Sequence, residues 1–139
     1  MRAPHLLRVD DGPQPFAPLL AALKAAGLRT GWLALGPTPP ASLPPDLASA
    51  VALGALRAVA VGPGASVAVK ALRGRPVLRD LLREHFLGCA LVLVQGDLAA
   101  PALHPVGDSW RVSLPDTASR LYRTDQLVAA LRRPHPWLP

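Results

Sequence analysis

Apolar positions along the chain follow two rhythms, one of strands and one of helices. His5–Val9 (HLLRV) is a short apolar run that stops at the turn cluster Asp10-Asp11-Gly12-Pro13, which predicts a strand. Phe16, Leu19, Leu20 and Leu23 then recur at helical spacing, and Gly27 stands where a helix ends. Arg29–Leu35 (RTGWLAL) predicts a second strand, so the chain opens as a βαβ unit. Gly36–Pro45 holds five prolines and predicts a loop, and Asp46–Leu56 predicts a short apolar helix with Asp46 near its positive end.

Arg57–Val61 and Ser66–Val69, either side of Gly62-Pro63-Gly64, predict a tight hairpin or two strands in different parts of a sheet. Pro76–Phe86 is the clearest amphipathic helix. Its apolar stripe is Val77, Leu78, Leu81, Leu82, His85 and Phe86, opposite Arg79, Asp80, Arg83 and Glu84. Ala90–Val94 (ALVLV) is apolar at every position, which predicts a strand covered on both faces at the centre of a parallel sheet. After a proline-punctuated loop come short strands at Trp110–Ser113 and Arg120–Arg123. Thr124-Asp125 is the expected cap of a last helix, Gln126–Arg133.

This alternation predicts an α/β three-layer sandwich with a mostly parallel sheet. The chain has 139 residues, half of them apolar, enough for one core and hardly for two. The expectation is a single α/β domain over residues 1–133 and a C-terminal tail over 134–139. There is no internal repeat and no long linker.

Cys89 is the only cysteine, so neither an internal disulfide nor a cysteine-rich zinc site is available. Nothing near Met1 has the layout of a signal peptide, and no apolar stretch reaches membrane-spanning length; a soluble cytoplasmic protein is expected. Fifteen Lys and Arg against nine Asp and Glu give a net charge of +6. The arginines are scattered, and the Arg-, Ala-, Leu- and Pro-heavy usage fits GC-rich coding and a thermophile-like composition. Neither a nucleic-acid signature nor a membrane-binding one follows.

In an open α/β sheet, ligands sit beyond the carboxyl ends of the strands. The turn after the first strand is therefore a candidate site, with Gly12 and Gln14 as its residues. As a phosphate loop it would need converging N–H groups, a Lys and a Ser or Thr. It has one Gly, two prolines without N–H, and Asp10 and Asp11 to repel an anion. The second candidate is the end of the central strand, Gln95-Gly96-Asp97, where a carboxylate directly after the strand would bind metal-coordinated water and Gln95 stands instead. Lys70, Arg73 and Arg75 around Gly74 form a compact basic patch able to hold phosphate. The four histidines have no metal-ligand spacing. Ser66 has no full nucleophile-elbow context, and Cys89 is expected as a core thiol.

Three stretches carry a family resemblance. Pro18–Leu35 (PLLAALKAAGLRTGWLAL), Gly54–Val69 (GALRAVAVGPGASVAV) and Val77–Gly96 (VLRDLLREHFLGCALVLVQG) resemble, in order and spacing, segments of the molybdopterin-guanine dinucleotide biosynthesis protein B (MobB) family. The resemblance implies a P-loop NTPase-like fold, GTP with Mg²⁺ as cofactor, and a molybdenum cofactor guanylyltransferase as protein partner. Where that family has Gly-Lys-Ser/Thr this chain has Gln14-Pro15-Phe16, and where it has Glu-Gly this chain has Gln95-Gly96.

Three functional readings follow. The first is a MobB-like accessory or binding protein with a degenerate P-loop, without NTP hydrolysis and without a catalytic residue. The second is a divergent GTP- or nucleotide-binding protein using the Asp10–Gln14 turn with Lys70 and Arg73. The third, an enzyme unrelated to P-loops, has no catalytic constellation to support it. The aliphatic stretch Ala48–Leu56 is a candidate surface for a homodimer.

Overall fold

The computed structural model describes residues 2–10, 12–36 and 43–138. Asp11 of the candidate turn and positions 37–42 of the proline-rich loop lie outside the described residues. In chain order the elements are β1 (His5–Val9), α1 (Ala17–Ala25), β2 (Thr30–Ala34), α2 (Pro45–Ala52), β3 (Arg57–Gly62), β4 (Ala65–Lys70) and α3 (Leu78–His85). They are followed by β5 (Leu91–Gln95), β6 (Ala102–Val106), β7 (Ser109–Ser113), β8 (Arg120–Arg123) and α4 (Thr124–Leu131). They form two compact units: Met1–Gly36 with Leu81–Pro139, and Pro37–Asp80, the boundary falling inside α3.

The first unit is α/β, built on a six-stranded sheet in the order β2-β5-β1-β6-β7-β8 and flanked by helices. The pairs β2/β5, β5/β1 and β1/β6 are parallel, while β6/β7 and β7/β8 are antiparallel. In-register neighbours share a face, so Leu7 stands beside Leu93 and Leu93 beside Trp32. That face packs against Leu19 and Leu23 of α1 and Leu127 and Leu131 of α4, four apart on each helix. Val92 and Val94, which alternate with Leu91 and Leu93, are also fully buried. Coverage on both faces is why β5 reads as an unbroken apolar run. On the second face the Phe86 ring lies against Gly31; a Cβ there would stand 2.3 Å from it.

β6 was expected to be loop because of its proline. It is a strand because only its first residue, Ala102, pairs with β1, at Arg8. Beyond that point one side of β6 is an open edge, where Pro105 lacks no ladder partner for its missing N–H. Gly107, at φ +57°, supplies the left-handed turn that returns the chain into β7.

The start of α4 also differs from expectation. Thr124 is its first residue, and its hydroxyl accepts the Trp110 indole N–H at 2.9 Å. The Gln126 side chain instead accepts the Arg123 backbone N–H at 2.9 Å. The Arg123 guanidinium hydrogen-bonds Asp125 and holds that exposed carboxyl below its ordinary range. The tail packs: Trp137 lies 5.9 Å, ring to ring, from Tyr122 and against the core.

Among the described residues, one buried side-chain polar atom is unsatisfied. Thr30 Oγ1 is buried and has no hydrogen-bond partner. An unpaired buried hydroxyl costs about 1–3 kcal/mol, and valine keeps the branched shape that strands favour. Thr30→Val is therefore expected to raise the midpoint of urea unfolding without changing the slope.

In the second unit, β3 and β4 form the hairpin alternative, a two-stranded antiparallel sheet on which α2 packs. Its burial is sparse. Val69 is buried, whereas Leu53, Leu56 and Val61 are 89, 70 and 82% exposed. The apolar stripe expected around α3 is only partly used: Val77 is exposed, and His85 turns outward beside Glu84 at 4.0 Å.

Candidate functional site

The chain leaves β1 toward β2 on one side, past β5, and leaves β5 toward β6 on the other side of β1. The carboxyl ends of β1 and β5 thus flank a topological switch point, the position where open α/β sheets hold ligands. Val9 and Gln95 are register neighbours there, which brings Gln95 to the same end of the sheet as the turn carrying Gly12 and Gln14. Lys70, Arg73 and Arg75 are exposed residues of the second unit.

The turn is built against anions. Pro13, Pro15 and Pro18 have no N–H, the Phe16 N–H donates to Pro13 O at 3.0 Å, and the Ala17 N–H donates to Gln14 O. The Gln14 side chain folds back, its Oε1 3.2 Å from where a Cβ on Gly12 would stand. Phe16 is 1% exposed, with ring centroids 6.0 Å from Trp110 and 6.2 Å from Trp32. A residue that would have to present a hydroxyl to Mg²⁺ is instead an aromatic anchor of the core. With Pro15 in the Lys position and Gln95 ending β5, the residues do not fit GTP with Mg²⁺.

Gly96 is required by close approach. Its φ is +135°, and a Cβ would stand 2.5 Å from the Leu35 carbonyl oxygen. This closeness lets the Leu35 N–H donate to Gln95 O at 2.7 Å, tying the end of β2 to the end of β5.

A group that sequence reasoning left apart assembles beside this turn. Arg8 pairs with Ala102, so Asp10 and His104, each two residues on, share one face. His104 Nε2–H donates to Asp10 Oδ2 at 3.2 Å, and Arg8 Nη1 lies 3.7 Å from Asp10 Oδ1. Arg111 is in register opposite His104. A carboxylate can only accept, so this bond places a proton on His104 Nε2. All three side chains are solvent-accessible, at 35% for Arg8, 59% for Asp10 and 42% for His104. The sequence carried little signal for this group: Ala102–Val106 (ALHPV) shows no period-two alternation, and Pro105 argues against a strand. Cys89 is half-buried and free, and among the described residues no cluster of His, Cys, Asp and Glu is arranged to hold a metal. No described helix is long and apolar enough to cross a membrane. No protein-family model matches this chain, and no characterised protein matches its sequence.

Proposed function

We propose that the chain is a MobB-like accessory protein: a P-loop-like, three-layer α/β domain that has lost nucleotide hydrolysis and acts through protein contacts. The observation that carries this reading is the closed turn. Phe16 is committed to the core, the prolines remove donors, and Gln14 covers Gly12, at the one place where a domain of this kind holds phosphate. The link to molybdenum cofactor maturation, and to a guanylyltransferase as partner, comes from the resemblance of residues 18–35, 54–69 and 77–96. Exposure of Leu53, Leu56 and Val61 supports a contact role, since apolar side chains of this size grouped on one small unit favour association.

Thermal unfolding with GTP·Mg²⁺ and ATP·Mg²⁺ tests the reading. The expected shift is less than about 1 °C, with no phosphate released. A shift of several degrees that disappears in Lys70→Ala overturns it in favour of the divergent nucleotide-binding protein.

A further inference from the structure

The geometry points to a binding site for a compact phosphate anion, of pyrophosphate or phosphomonoester size, at the opposite end of the six-stranded sheet. A cavity of about 400 Å³ opens beside the amino ends of β1, β2 and β5. Arg2, His5, Arg29 and Arg132 stand around it, Leu28 and Leu131 line it, and among the described residues no carboxylate does. Its volume lies within the range of small-molecule sites.

Three of the four polar groups are held in place by the fold. Arg2 Nη1 donates to Arg132 O at 3.2 Å, Arg132 Nη2 to Ala26 O at 2.9 Å, and His5 Nε2–H to Arg133 O at 2.9 Å. These acceptors lie at the carboxyl ends of α4 and α1, where a cation is favoured. That structural role does not use up the charge. Each helix end supplies roughly half a negative charge, and a guanidinium has about five N–H donors of which these bonds take one. The Arg29 side chain makes no hydrogen bond or ion pair among the described residues. Three guanidinium groups, two of them oriented in advance, therefore surround one concavity with positive charge to spare. Guanidinium forks match phosphate oxygens better than any other side chain does, and groups oriented beforehand lose less entropy on binding.

This inference is independent of the closed turn at the other end of the sheet. Isothermal titration of the full chain with sodium pyrophosphate at low salt tests it. One equivalent is expected to bind, and Arg29→Gln to weaken binding about tenfold or more, as loss of a charge-assisted bond requires. Arg29→Lys is expected to lose less, and Arg79→Gln, an exposed cation of the second unit assigned to no site, to leave affinity within about twofold. No binding at millimolar pyrophosphate, equal affinity in Arg29→Gln, or equal loss in Arg79→Gln overturns the proposal. A stabilisation by GTP that survives Lys70→Ala and disappears in Arg29→Gln belongs to this cavity and leaves the reading of the Gly12–Gln14 turn intact.

Discussion

Phe16→Ala is expected to lower the unfolding free energy by about 3–5 kcal/mol, the cost of emptying a fully buried aromatic site. Phe16 is 1% exposed and touches two tryptophans from β2 and β7, so the cavity opens between elements that cannot collapse independently. Each aromatic pair adds about 0.5–1.5 kcal/mol beyond area burial. Against a total stability of about 5–15 kcal/mol, this is a large fraction. Thermal denaturation should show a fall of roughly 10–25 °C, with loss of the near-ultraviolet dichroism of Trp32 and Trp110. The same logic governs an attempt to rebuild a phosphate loop. The triple variant Gln14→Gly, Pro15→Lys, Phe16→Thr is expected to lose comparable stability and to gain no GTP binding. Restored nucleotide binding in a stable triple variant would contradict the assignment of Phe16 to the core.

The second large effect is expected at the end of β5. Gly96→Ala forces a side chain into a backbone conformation that costs about 1–3 kcal/mol. It also drives a Cβ to 2.5 Å from the Leu35 oxygen, a backbone atom that cannot rotate away. Relief requires the end of β2 to separate from β5, breaking the Leu35 N–H to Gln95 O bond and adding about 0.5–1.5 kcal/mol. Hydrogen exchange is the sensitive measurement: the Leu35 amide should exchange much faster in the variant, while the Leu93 amide inside β5 should keep most of its protection. Unchanged Leu35 protection would mean that the strand ends are not coupled through Gly96.

Much of the architecture is legible in the order of residues. The αβ alternation, the βαβ opening and the central position of Leu91–Val94 follow from periodicities of 3.6 and 2 and from one uninterrupted apolar run. The missed strand Ala102–Val106 shows where that logic ends. Its Pro105 is a breaker locally and becomes tolerable only because β6 overruns the end of β1, a fact of sheet register. The hairpin of β3 and β4 was one of two alternatives that periodicity could not separate, since both place the same residues in strands.

For the candidate sites the division is sharper. The sequence alone determined that the turn after β1 lacks the lysine, the hydroxyl and the donors of a phosphate loop, because those are properties of residue types. Only the tertiary structure decided that Phe16 is a core anchor rather than a surface residue, since burial depends on what Trp32 and Trp110 bring to it. The same holds for charge. Thirteen arginines look scattered along 139 residues. The fold gathers Arg2, Arg29 and Arg132 around one cavity, where the carboxyl ends of α1 and α4 meet, and sets His104 on Asp10, because parallel pairing of β1 with β6 brings residues about a hundred positions apart into register. Short-range pattern reports which groups a chain owns; long-range packing decides which of them meet.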